Sequence, residues 1–302
     1  MTHPAAPIVC IGGFNVDRKL RLLADPLGGS SNPCEAHETP GGVVRNVAEN
    51  LARLGVPVAL IAAVGDDAGG RMLMEQAARV GIATDAVLKL RRQVSDSYTA
   101  VLSPDGGLHL GLASMPLVER LNPWSLESSK ALRASAALVV ADGNLPTDAW
   151  PLLLGEARAS GIPLVCVAVS EAKMERLPQR LDGLHLLVMN AGELSTIAPD
   201  ANQAFDALHA RGVGCVLVSK GSEGLLLSTS GLAPRHWPAP RVRVVDVTGA
   251  GDALSAGVCA SLLKAPDDFD AAARLGLDLA ALTLQTEDSV HPELNPNFLE
   301  DR

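Results

Sequence analysis

Short runs of apolar, mostly β-branched residues recur along this chain, and the stretches between them carry apolar positions every three or four residues. Ile8-Val9-Cys10-Ile11, Val58-Ala59-Leu60-Ile61, Ala137-Leu138-Val139-Val140, Leu164-Val165-Cys166-Val167, Leu186-Leu187-Val188 and Val216-Leu217-Val218 are the clearest runs. None alternates with polar residues, so each predicts a strand buried on both faces, as in a parallel sheet covered by helices. Between Gly41-Gly42 and Gly55, the residues Val44, Val47, Leu51 and Leu54 fall on one stripe, which predicts a helix laid against that sheet. Arg45 and Asn46 fall off the stripe near the helix start. Strand and helix patterns alternate, which predicts an α/β fold built from βαβ units around a mostly parallel sheet.

Two segments break the alternation. Residues 18–40 are rich in Gly, Ser, Pro and Asn, and residues 93–115 read as a hairpin with Ser103-Pro104-Asp105-Gly106-Gly107 at its turn. Neither is long enough for a separate domain, so both are expected to form a small β lid on a single domain spanning residues 1–302.

Composition narrows the class. A chain of 302 residues with 47% hydrophobic content can bury one large core. A formal net charge of −9 argues against a protein that grips nucleic acid through its phosphates. No apolar run approaches a membrane span, and Met1-Thr2-His3-Pro4-Ala5-Ala6-Pro7 lacks a basic, apolar, cleavable pattern. A cytoplasmic protein with no membrane partner is expected. The five cysteines include no C-x-x-C pair, and Cys10, Cys166 and Cys215 lie inside apolar runs, which predicts buried thiols.

The chemistry concentrates in Val245-Asp246-Val247-Thr248-Gly249-Ala250-Gly251-Asp252-Ala253-Leu254. Glycines directly before a carboxylate at a helix start bring bare backbone N–H groups and one acid to the same point. Such N–H groups attract anions, and a transferring phosphoryl group is one. The same pattern also suits an ordinary helix start with an N-terminal Asp. Other phosphate-binding signatures are missing: there is no G-x-x-x-x-G-K-[ST] loop, and Gly12-Gly13-Phe14-Asn15 stands where a G-x-G-x-x-G would follow the first strand. No Gly-x-Ser-x-Gly elbow occurs either.

Four segments in order resemble the ribokinase-like, or PfkB, family of carbohydrate and nucleoside kinases. They are Asn15-Val16-Asp17, Gly41-Gly42-Val43-Val44-Arg45-Asn46-Val47-Ala48, Asn190-Ala191-Gly192-Glu193, and Asp246 to Asp252. The resemblance implies a three-layer αβα sandwich with a small β-sheet lid, ATP as phosphoryl donor and Mg²⁺ as cofactor. By the same resemblance Asp252 would be the base, and the N–H groups of Gly249, Ala250 and Gly251 the anion hole. The helix N-terminus is expected to keep Asp252 ionised at neutral pH. Asp17, Gly41, Gly42 and Asn46 match positions that hold a ribose. Asn190 and Glu193 match the pair that organises Mg²⁺ through water. Ser219, Lys220, Gly221 and Gly224 resemble the segment running along ATP, where Lys220 either meets phosphate or is simply solvated. Asp246 and Thr248 match a monovalent-cation site, K⁺ in some relatives, which residues near Ser289 would complete.

Within the family the local texture is most similar to the pseudouridine kinases. Ser31-Asn32-Pro33, Arg45-Asn46, Ser95-Asp96-Ser97-Tyr98, Val139-Val140-Ala141-Asp142-Gly143-Asn144 and Val169-Ser170-Glu171-Ala172-Lys173 carry that likeness. It implies a small nucleoside substrate, with a ribokinase or another sugar or nucleoside kinase as the alternative. A silent ligand-binding regulator on the same fold would need neither Asp252 nor the Asn190-Glu193 pair. Ser30, Ser31, Asn32 and Arg45 are candidates to read a uracil edge. Tyr98 either stacks on the base or only packs in the lid. Ala168 stands where relatives often carry an acid. An apolar lid is also a basis for a homodimer.

Overall fold

The computed structural model describes residues 6–300; residues 1–5, which hold most of the stretch lacking a signal pattern, lie outside them. The strands are β1 (Ile8–Ile11), β2 (Asn15–Leu22), β3 (Cys34–Gly41), β4 (Val58–Ile61), β5 (Ala63–Gly65), β6 (Leu88–Leu90) and β7 (Ser97–Leu102). They continue as β8 (Leu108–Ser114), β9 (Leu138–Asp142), β10 (Leu164–Val167), β11 (Leu184–Asn190), β12 (Cys215–Ser219), β13 (Leu225–Thr229) and β14 (Arg235–Trp237). The helices are α1 (Val43–Arg53), α2 (Ala68–Arg79), α3 (Pro123–Leu126), α4 (Lys130–Ala134), α5 (Ala149–Ser160), α6 (Ala191–Ser195), α7 (Ala201–Ala210), α8 (Ala250–Leu262) and α9 (Phe269–Thr283).

The main sheet has the order β14-β13-β12-β11-β10-β9-β1-β4. From β12 to β4 every pairing is parallel, while β13 and β14 add antiparallel at one edge. Every apolar run named above became one of these parallel strands, with β9 beginning at Leu138 and running on to Asp142. Alternate residues of each run serve different layers, because successive side chains leave opposite faces. Ile8, Cys10, Val140 and Val188 pack with α1, α8 and α9, whereas Val9, Ile11, Ala141 and Met189 pack with α5 and α7. The result is the expected three-layer sandwich. Cys10, Cys166 and Cys215 are buried free thiols, and burial pushes each thiol pKa up.

The two interrupting segments meet in a second sheet of order β3-β2-β7-β8. Its β7–β8 turn is closed by the Ser103 N–H on the Gly107 carbonyl, and Gly106 takes φ 92°. Register places Asp17 opposite Thr39 and Tyr98, and Lys19 opposite His37 and Ala100. These residues therefore share one face of the small sheet.

Helix α1 departs from its sequence reading on one flank. Val44, Val47 and Leu51 are fully buried as expected, but Arg45 and Asn46 are buried too, because α8 packs beside α1 and covers that flank. Gly42 caps α1 at φ 107°, and a side-chain carbon there would collide with the Gly13 carbonyl. We predict that Gly42→Ala lowers stability by about 2–3 kcal/mol, through both the left-handed backbone and the clash. A shifted urea midpoint with an unchanged slope is the expected result.

Candidate active site

The carboxyl ends of the parallel strands converge on one edge of the main sheet. Gly12-Gly13 follow β1, while Asp142, Asn190 and Ser219 end β9, β11 and β12. Strand β1 lies between β4 and β9, so the chain leaves it toward both sides and opens the crevice where ligands bind in such sheets.

Helix α8 starts in that crevice. Gly249 caps it at φ 78°, and a side-chain carbon there would run into the Ser289 carbonyl. The Ala250 N–H leans back to the Val247 carbonyl at 3.3 Å, whereas no hydrogen bond uses the Gly249 or Gly251 N–H among the described residues. Open space surrounds Gly251. Two of the three expected anion-hole donors are thus uncommitted.

Asp252 is joined to the first turn of α1 across 206 residues by a 2.8 Å hydrogen bond from Asn46 Nδ2 to its Oδ2. The other end of the Asn46 amide is fixed by Arg45, whose Nη1 donates to Asn46 Oδ1 at 3.0 Å and to the Pro40 carbonyl at 3.2 Å. Arg45 Nη2 pairs with Glu49, which also binds Arg53. Arg45 therefore orients Asn46 through Nη1, with Nη2 held by Glu49, while its buried Nε has no hydrogen-bond partner among the described residues. Asp17 leans on Gly41, where any side chain would strike its carboxylate, and accepts from Asn15 Nδ2 at 2.6 Å. Tyr98 stands beside Asp17 on the same sheet face.

Electrostatics corrects one expectation. Burial pushes the Asp252 carboxyl up to about 7; the nearby Asp142 and Asp17 push the same way, against Asn46 and Arg45. Desolvation and like charges outweigh the helix terminus, so the group is poised at neutral pH instead of fully ionised. That value suits a general base. Burial also raises Asp17, against its Asn15 hydrogen bond and the Arg45 charge.

At the end of β11, Asn190 and Glu193 form a reciprocal capping box at the start of α6. Burial pushes the Glu193 carboxyl up against the pull of the Asn190 N–H, and the neighbouring Glu171 carboxylate adds to the rise. A divalent cation would relieve that crowding, so the pair fits Mg²⁺ held through water. Ser219 lies next to Asn190 across the β11–β12 ladder. Lys220 is paired with Glu223 at 2.6 Å, and Gly221 at φ 58° has open space around it. Gly224 has a steric reason instead: its α-carbon abuts the Trp237 carbonyl.

Two placements differ from expectation. Ser30, Ser31 and Asn32 sit in the exposed β2–β3 loop, at the far end of β2 from Asp17, and Asn32 is folded back onto Leu27. Asp246 Oδ1 accepts from the Thr248 N–H and hydroxyl, while its Oδ2 holds the Lys19 ammonium at 3.1 Å, so a monovalent cation does not fit on that carboxylate beside Lys19. The site also contains a residue with no assigned role in the sequence reading. Asp142 is fully buried and accepts from the N–H groups of Gly13 at 3.0 Å, Asn144 at 2.9 Å and Val44 at 3.4 Å. Its signal was an acid closing an otherwise apolar strand run. Asn144, beside it, takes the Lys173 ammonium.

A three-layer αβα fold with a poised carboxylate at a glycine-capped helix start defines a ribokinase-like phosphotransferase with a hydroxyl acceptor. The description "pfkB family carbohydrate kinase" matches residues 5–295, and the chain belongs to that family. It is 32% identical to the uncharacterized sugar kinase YeiI of Escherichia coli, over 95% of this chain and 80% of that one. It is 28% identical to the pseudouridine kinase of the same organism, over 95% and 93% of the two chains. A carbohydrate kinase from Agrobacterium tumefaciens superposes with a TM-score of 0.84 at 31% identity, covering 98% of this chain and 96% of that one. Arabidopsis thaliana ribokinase complexed with ribose and ATP shares the fold, with a TM-score of 0.83 at 22% identity and 98% of each chain covered.

A carboxylate must be ionised to accept a proton, so with Asp252 in the role of base kcat/KM is expected to fall as pH drops through about 7, with a slope of one per pH unit. A pH–rate profile at saturating ATP checks this. Asp252→Asn is expected to lower kcat by about 10²–10⁴-fold. It should also raise the melting temperature at pH 8. The folded carboxyl binds its proton more tightly than the unfolded value of 3.8, so its ionisation weakens the fold as pH rises toward 7, and the amide removes that loss.

Proposed function

We propose that this sugar or nucleoside kinase transfers the γ-phosphoryl group of ATP to the 5′-hydroxyl of pseudouridine. The observation that carries the reading is the joining of Asn46 to Asp252 beside Asp17, one constellation able to hold a ribose and activate its primary hydroxyl. Asp17 and Asn46 would accept from and donate to the sugar hydroxyls. Asp252 would take the proton from O5′ as that oxygen bonds to the γ-phosphorus, and the bond to the β-phosphate oxygen breaks to release ADP. The Gly249 and Gly251 N–H groups would meet the charge developing on the transferring group. Mg²⁺ bound near Asn190 and Glu193 would neutralise the phosphates of ATP.

Two features favour a nucleoside over a bare pentose. Tyr98 offers a ring on the substrate face of the small sheet, next to Asp17. The relative at 28% identity that spans nearly the whole chain is a pseudouridine kinase. The uncharacterized sugar kinase at 32% identity keeps a sugar acceptor as the second reading. The same proposal places the protein in the cytoplasm, where ATP is available; no helix among the described residues is long and apolar enough to cross a membrane. It also pairs two copies through the outer face of the small sheet, where Leu110 and Leu112 are 49% and 53% exposed.

Purified protein with ATP and Mg²⁺ is expected to convert pseudouridine to a 5′-phosphate, identified by mass and by phosphorus NMR, and to sediment as a dimer. A panel containing ribose, uridine, inosine and guanosine provides the comparison. Faster ADP release with ribose than with pseudouridine would replace the nucleoside reading with the sugar one.

A further inference from the structure

The loop that ends in the anion hole is anchored at three points. The Val245 N–H donates to the Leu284 carbonyl at 2.8 Å, and Gly249 abuts the Ser289 carbonyl. Both ties lead to the C-terminal segment. The third is different: Lys19, on strand β2, places its ammonium 3.1 Å from Asp246 Oδ2, across 227 residues. Among the described residues it is the ion pair that joins the small sheet to this loop.

Asp246 sits at the point where that tie has most leverage. Its Oδ1 accepts from both the N–H and the hydroxyl of Thr248, at 2.8 and 2.7 Å, which fixes the turn leading directly into Gly249. Burial pushes the Asp246 carboxyl up, but the two Thr248 donors and Lys19 together outweigh it and hold the group below its ordinary range. Both partners face a cavity of about 550 Å³ that His37, Arg45, Glu287, Asp288 and Ser289 also line. Arg21, Arg45 and Arg53 line the same cavity, but Lys19 is the cation that meets the Asp246 carboxylate, so without its ammonium that carboxylate would lose its direct counter-charge.

We propose that Lys19 is a positioning residue whose ammonium serves as a built-in monovalent cation on Asp246, setting the anion-hole loop and coupling it to the small sheet. Phosphoryl transfer by this protein is then independent of added K⁺. The tie also makes the small sheet's position felt at the phosphate: when Lys19 moves with β2, the Asp246–Thr248 turn loses its counter-charge. The inference rests on the kinase reading for its effect on rate, but the charge-replacement itself can be tested without turnover.

The test compares wild type with Lys19→Met and Lys19→Arg in K⁺ and in choline at matched ionic strength. Thermal melting of unliganded protein provides the readout that needs no substrate. Wild type is expected to melt at the same temperature in both salts. Lys19→Met should melt lower in choline and recover in K⁺, because a free cation can now take the ammonium's place. In turnover, Lys19→Met should lose about tenfold in kcat in choline, as removal of an outer-shell partner typically does, and regain it in K⁺. Lys19→Arg keeps the charge and should stay insensitive to K⁺. Wild type activated by K⁺ as strongly as Lys19→Met would overturn the proposal. So would a folded Lys19→Met protein that loses nothing, or whose losses K⁺ does not restore. If Lys19→Met fails to fold in either salt, Lys19→Gln is read in the same way. A protein that phosphorylates no nucleoside or sugar would refute the kinase substrate reading, while the melting comparison still decides the role of Lys19.

Discussion

One buried carboxylate holds the β1, α1 and β9 side of this candidate site together. Asp142 ends a central strand, is inaccessible to solvent, and accepts hydrogen bonds from the turn after β1, from the first turn of α1 and from the turn after its own strand. A buried carboxylate without partners would be strongly unfavourable, so these N–H groups are as necessary to Asp142 as it is to them. Glycines at 12, 13 and 42 let the backbone come that close; a side-chain carbon at Gly12 would occupy the space of the carboxylate itself. The position of Asn46, and through it Asp252, follows from where this cluster puts the start of α1.

The same packing sets the chemistry. Asp142, Asp17 and Asp252 converge in a half-dry crevice, and mutual repulsion adds to desolvation in raising Asp252. A lone aspartate at a helix start would be ionised at neutral pH and a weak base. Here the carboxylate is costly to ionise, which is what makes it a useful proton acceptor near pH 7. Arg45 tempers the effect from one side, and its own charge is balanced by Glu49, so the cation orients Asn46 without capturing Asp252.

The strands were legible because runs buried on both faces are apolar throughout, and each such run appears as a parallel strand. The interrupting segments were legible because turn residues cluster in them, and both entered the small sheet. Local patterns failed where one residue's environment came from far away in the chain. Arg45 and Asn46 lie off the apolar stripe of α1 and still are buried, since α8 arrives to cover them. Asn32 looked free to read a base, yet its amide is used within its own loop.

Residue order alone determined the layered α/β architecture and the family, and it singled out Asp252 as the candidate base, because periodicity and short motifs are local properties of a chain. The tertiary structure decided what those motifs do to one another. It put Asn46 on Asp252, Lys19 on Asp246 and Asp142 beneath two glycine turns, over separations of 206, 227 and 129 residues. Proton affinity and counter-charge depend on distance in space and on exclusion of water. Neither is written in the spacing of residues along a sequence.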